Sequence, residues 1–89
     1  MRERDVERYL ARRVRELGGE IRKVSWIGRR HAPDRVAKFP GRDAIWIEVK
    51  RPGETPGAGQ RREHTRMRRV GWRVEVVDSF ERVDEVLRG

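Results

Sequence analysis

Eighty-nine residues, 35% hydrophobic and 43% charged, suffice for one small domain with a thin apolar core and leave no room for a second. The formal charge of +8 points to a polyanionic partner, nucleic acid before any other, and the absence of cysteine excludes disulfide staples, zinc–thiolate sites and thiol nucleophiles. No apolar run approaches the ~20 residues of a membrane helix, and Met1-Arg2-Glu3-Arg4-Asp5 does not read as a secretory leader, so a soluble cytoplasmic protein with no membrane partner is expected. Arginine supplies 20 of the 23 basic residues. Its planar fork suits phosphate; a GC-rich genome accounts for the preference over lysine, but not for the net charge.

Residues 2–17 are predicted to form a helix. Val6, Leu10, Val14 and Leu17 make one apolar stripe with Tyr9 at its flank, and Gly18-Gly19 ends it. Glu3 and Glu7, four apart, stack beside the stripe, either pairing with surface arginines or with one of them looking across into a site. Residues 20–27 read as a strand with Ile21, Lys23 and Ser25 on one face and Arg22, Val24 and Trp26 on the other. Gly28 to Ala32 is a basic loop carrying Arg29, Arg30 and His31. A lone loop histidine beside arginines is more often a solvent or phosphate contact than a metal ligand or general base.

Pro33-Asp34 opens a second strand, which runs to Phe39, because proline holds its predecessor out of helical geometry. Pro40-Gly41-Arg42-Asp43 forms a turn, and Ala44 to Lys50 returns. There Ile45, Ile47 and Val49 share one face while Ala44, Trp46, Glu48 and Lys50 share the other. Glu48 and Lys50 therefore project the same way, roughly 6.5–7 Å apart. An isolated Glu-x-Lys is ordinarily a solvated surface pair. Here Asp34 lies 14 residues before Glu48, the spacing of a hairpin that would bring Asp34 to the Glu48/Lys50 end.

Pro52 to Gly59 is a loop, and Gln60 to Val70 a helix closed by Gly71. The apolar content of that helix is thin: Met67 and Val70, with Gln60 and His64 on the Met67 side. Arg61, Arg62, Arg66, Arg68 and Arg69 give it either a phosphate-binding face or a solvated one. Trp72 to Val77 is a strand with Trp72, Val74 and Val76 on one face. Asp78, with Glu81 three residues on, starts a short final helix that carries Phe80, Val83, Val86 and Leu87 inward. The expected fold is α/β, a single domain 1–89 with a small mixed β-sheet flanked by helices in the order α-β-β-β-α-β-α.

Pro33-Asp34, then Glu48-Val49-Lys50, then Gln60 after a Gly/Pro loop, behind a Glu-bearing helix, resembles the PD-(D/E)xK nucleases of the restriction-endonuclease-like superfamily. Within it the chain is most similar to the VRR-NUC family. The resemblance takes in Gly18-Gly19, Pro33-Asp34-Arg35, the run from Ile47 to Gly53, Gln60, and the run from Gly71 to Ser79. The Glu-x-Lys triplet alone is a weak signal; the ordered set at these spacings is a strong one.

The resemblance implies a restriction-endonuclease-like core and a metal-dependent DNA endonuclease. Stand-alone members, typical of phages and bacteria, are similar to Holliday-junction resolvases in forming homodimers, and a fused version in the Fanconi-anaemia-associated nuclease cuts branched DNA. For this chain it implies Asp34 and Glu48 as metal ligands, with the carbonyl of Val49 as a further one. Lys50 would stand beside the attacking water and Gln60 would support the site. A glutamate of the first helix, Glu3 first or else Glu7, would complete the acidic set. Mg²⁺ is the expected cofactor, with Mn²⁺ substituting, since hard divalent cations favour oxygen ligands and stabilise charge on a phosphoryl group. The expected partners are DNA, branched or four-way, and a second copy of the chain, in the cytoplasm of a bacterial or phage-infected cell. Arg29, Arg30, His31, Arg35, Arg51, Arg61 and Arg62 are the expected DNA contacts. Many relatives carry Gly just before Pro-Asp, where this chain has His31-Ala32, so a different turn is expected. Two other readings stand beside this one: a basic DNA-binding module on the same fold that does not cut, and a nickase or flap nuclease without branch preference.

Overall fold

The chain folds as helix α1 (Glu3–Glu16), strands β1 (Glu20–Lys23), β2 (Arg35–Lys38) and β3 (Ile45–Val49), helix α2 (Ala58–Arg69), strand β4 (Arg73–Val77) and helix α3 (Phe80–Arg88). The computed structural model describes residues 1–89. This is the order expected from the sequence. The strands form one mixed sheet in spatial order β1-β2-β3-β4: β1/β2 and β2/β3 are antiparallel, β3/β4 parallel. A parallel pair needs a crossover, and α2 supplies it.

One face of the sheet holds the apolar core. Val6, Leu10 and Val14 of α1 meet Ile45, Ile47 and Val49 of β3 and Val83, Val86 and Leu87 of α3, together with Ala37, Phe39 and Val77. Each of the larger side chains stabilises the fold by about 1.5–3 kcal/mol on leaving water. Leu17, expected to end the α1 stripe, is 47% exposed: the helix stops at Glu16, and Gly18 turns the chain away with φ +87°. Phe80 packs outside the core, stacked on Tyr9 at 4.2 Å. The Tyr9 hydroxyl donates to Asp84 at 2.8 Å and Arg13 Nε donates to the same carboxylate at 3.1 Å, tying α1 to α3.

The opposite face is polar and aromatic. Alternation turns Val36, Trp46, Glu48, Val74 and Val76 toward it, and the buried residues of α2 above them are Glu63, His64 and Met67. Val70, expected on that apolar side, caps the helix C-terminus and is 73% exposed. The helix begins at Ala58, two residues earlier than expected, because the Gln60 side chain reaches back to accept from the Gly57 N–H at 3.0 Å. β1 is shorter than the expected span 20–27. Val24 N–H still donates to the Asp34 carbonyl at 2.9 Å, but beyond it the chain leaves the ladder, and the Trp26 indole N–H donates to the Pro33 carbonyl at 2.8 Å.

Candidate active site

The β2–β3 ladder pairs Arg35 with Ile47 and Val36 with Trp46, so one step further sets Asp34 across from Glu48. Directly opposed residues of an antiparallel pair point to the same side with Cβ atoms about 4.5–5.5 Å apart. Lys50, two residues past Glu48, leaves on that side too, its backbone fixed by an N–H donated to the Val77 carbonyl at 2.9 Å. The hairpin thus brings Asp34, Glu48 and Lys50 to one end of the sheet.

The two acids sit in different surroundings. The Asp34 side chain is 53% exposed, that of Glu48 only 12%. Glu48 is covered by α2: His64, 2% exposed, lies with Nε2 3.4 Å from Glu48 Oε1. That contact is a hydrogen bond whenever Nε2 carries the proton. On the other side of Asp34, the Arg35 guanidinium is 14% exposed and lies between two carboxylates, with Nη2 3.0 Å from Glu7 Oε1 and Nη1 3.1 Å from Asp34 Oδ1. The Asp34 contact is an ion pair without hydrogen-bond alignment, which leaves Nη1 a buried donor without a hydrogen-bond partner.

Glu7 therefore reaches the edge of the site through Arg35, whereas Glu3, one turn earlier, is exposed in the first turn of α1. Gln60 stands at the start of α2 with its carbonyl oxygen already used by the cap. His31 takes φ +68°, the left-handed region glycine adopts freely, and its ring lies against Gly59, where a Cβ would meet it at 2.7 Å. Arg29 pairs with Glu63 at 3.3 Å, and Arg51, 69% exposed, with Glu54 at 3.5 Å. Arg30 is exposed. Arg61 and Arg62 line a shallow groove on the outer side of α2 with Thr65, Arg66 and Arg69.

No three Asp, Glu or His groups are gathered closely enough to enclose an ion. The donors at this end, two carboxylates and the neighbouring Val49 carbonyl, are the oxygen type a hard cation such as Mg²⁺ takes, commonly one or two carboxylates with water and substrate phosphate in its other positions. His64 and Glu63 carry no role in the sequence reading. Glu63, its side chain 3% exposed, accepts from Arg66 at 2.8 and 3.0 Å. Their signals were an i,i+3 Glu–Arg pair and a histidine three residues before Met67 on the helix side that faces the Glu-x-Lys strand.

A mixed four-stranded sheet whose parallel pair is joined through α2, with opposed acids at the β2–β3 end, is a restriction-endonuclease-like core. A solved VRR_NUC domain superimposes on it with a TM-score of 0.87 and 38% sequence identity, covering 97% of this chain and 94% of that one. Protein p44 of Acyrthosiphon pisum secondary endosymbiont phage 1, described provisionally as a nuclease, is 42% identical over 79 residues, 89% of this chain and 85% of p44. No family model matches the chain. At this identity and coverage the chain belongs to the VRR-NUC family, a family of nucleases.

Proposed function

We propose that this chain is a divalent-metal-dependent DNA endonuclease selective for branched DNA, working as a homodimer. The reading is supported by the β2–β3 register, which ends at Arg35–Ile47 and, extended by one residue, would set Asp34 across from Glu48 with Lys50 on the same side. Asp34, Glu48 and the Val49 carbonyl are the ligands, for Mg²⁺ or Mn²⁺. A cation so held lowers the pKa of a water and offsets charge gathering on the phosphoryl oxygens. Lys50 supplies a fixed positive charge beside that water and orients it. His64 holds the Glu48 carboxylate in one direction from within the fold. Arg35, held between Glu7 and Asp34, fixes the direction of the Asp34 carboxylate. Of the two helix acids we assign the supporting role to Glu7, because Arg35 links it to Asp34, and Gln60 to the site margin.

Selectivity for shape is supported by where the charge lies. Arg61, Arg62, Arg66 and Arg69 share a groove on the outer face of α2, suited to backbone contacts, which position DNA without reading its bases. The thin core of an 89-residue chain favours a dimer. The test is cleavage of labelled four-way junction, flap and linear duplex, each with Mg²⁺ and with EDTA. The expected result is Mg²⁺-dependent cutting of the junction first, abolished in Asp34→Ala. Equal cutting of all three would indicate a non-selective nickase or flap nuclease, and tight binding without cutting a DNA-binding module.

A further inference from the structure

Trp26, Trp46 and Trp72 are the only tryptophans of the chain. They meet from the β1–β2 connection, strand β3 and the entry to β4, with ring centroids 4.8, 5.3 and 5.6 Å apart. This cluster adjoins the acid pair: Trp46 precedes Glu48 by two residues on the same face, and Trp26 is hydrogen-bonded to the carbonyl just before Asp34. Its outer edge is open. Trp72 is 40% exposed, and with Trp26, Met67 and Val70 it forms the apolar lining of a groove of about 430 Å³. Arg29, Arg66 and Arg69 stand on the rim, around the buried Glu63. The Glu63 carboxylate is already held by Arg29 and Arg66, so the rim is left with an excess of positive charge.

An aromatic floor under a cationic rim matches both halves of a single-stranded nucleic acid: bases stack on the ring, and phosphates pair with the guanidinium groups. A volume of this size lies in the range of ligand-holding pockets. A second copy of the chain is a poorer occupant. A two-fold contact through this groove would set the same arginine rim against itself between two chains of charge +8.

We infer that the Trp72 groove holds an unpaired nucleotide of single-stranded DNA, such as a base released where a branch point opens. The inference rests on the nuclease reading only for aiming that strand at Asp34 and Glu48; the stacking itself needs no metal. In EDTA, a labelled oligothymidine of about ten nucleotides and a blunt hairpin duplex are titrated with wild-type protein, Trp72→Phe, Trp72→Ala and Val70→Glu. Fluorescence anisotropy and tryptophan emission are followed, and circular dichroism melting checks the fold. Wild type should bind oligothymidine with quenching of tryptophan emission. Trp72→Ala should weaken that binding about tenfold, Val70→Glu should weaken it too, and Trp72→Phe should keep most of it, while duplex affinity stays within about twofold. Val70 is exposed, so its variant decides the matter if Trp72→Ala does not fold. Unchanged oligothymidine affinity in Val70→Glu, or equal losses on both DNAs, overturns the inference. So does a wild-type dimer that becomes a monomer in Val70→Glu with single-strand binding intact, which would make the groove a subunit interface. Quenching that persists in a protein unable to cut with Mg²⁺ counts against the nuclease reading alone.

Discussion

His64 Nε2 lies 3.4 Å from Glu48 Oε1, with the two side chains 2% and 12% exposed. A helix that carries five arginines thus places one buried imidazole over the acid of the Glu-x-Lys strand. Groups that orient a ligand commonly change metal affinity or activity by about 10–100-fold when removed. His64→Ala should lower the cleavage rate within that range, with DNA affinity in EDTA little changed. His64→Gln, which keeps a donor, should lose less. Single-turnover rates and a gel shift on the same preparations measure both; equal losses in the two variants would leave His64 only a packing role.

The proposed roles have Asp34, Glu48 and Lys50 act on the bond being cut, not on holding the DNA. Asp34→Asn, Glu48→Gln and Lys50→Ala should each reduce Mg²⁺-dependent cleavage by about a thousandfold or more, the size expected when several kcal/mol of charge stabilisation are lost. Junction affinity in EDTA should persist and should fall steeply with salt in all of them. A binding loss that parallels the cleavage loss would contradict the roles assigned here.

The Tyr9–Asp84–Arg13 cluster sets a pH dependence of stability. The hydrogen bond from Tyr9 holds the Asp84 carboxyl below its ordinary value of 3.8, and Arg13 adds to the effect. A folded pKa below the unfolded one favours folding above the unfolded value, and that contribution disappears as pH falls through the folded value. Asp84→Asn should therefore be less stable than wild type at neutral pH, and the two should converge in strong acid. The same bond raises the Tyr9 phenol above 10.0, so its contribution, present below that value, is lost as pH climbs past the folded pKa. Urea unfolding across pH for the two proteins tests both arms.

Gly59 leaves room for the His31 ring, since a Cβ there would approach it to 2.7 Å. Gly59→Ala should change stability by less than about 1 kcal/mol, because the exposed His31 ring can swing aside and alanine is the better helix former. With His31→Ala in the same chain, Gly59→Ala should become stabilising. Thermal melting of the two single variants and the double gives the coupling directly.

Much of this was legible in the sequence because it is periodic or local. The alternation of Ile45, Ile47 and Val49 against Trp46 and Glu48 gave the central strand, and the hairpin spacing from Asp34 to Glu48 gave the opposed acids. The burial of α2 was not legible. Val70 looked like its apolar anchor and is exposed, while Glu63 and His64 are buried; beside the local Arg66 pair, Arg29 and Glu48, which also hold them, are far away in sequence. The tryptophan cluster is likewise hidden, drawing one ring from each of three segments. Glu7 and Glu3 could not be separated by helical spacing; the difference comes from Arg35, which leaves β2 on the α1 side.

The central claim, that Asp34 and Glu48 grip one cation between them, is most directly tested by calorimetric titration of Mn²⁺ into wild type, Asp34→Asn, Glu48→Gln and the double variant. If the claim holds, each single substitution abolishes the wild-type binding event and the double variant is no worse than either. A single variant that keeps wild-type affinity, or losses that add in the double, would mean that the two acids do not share an ion.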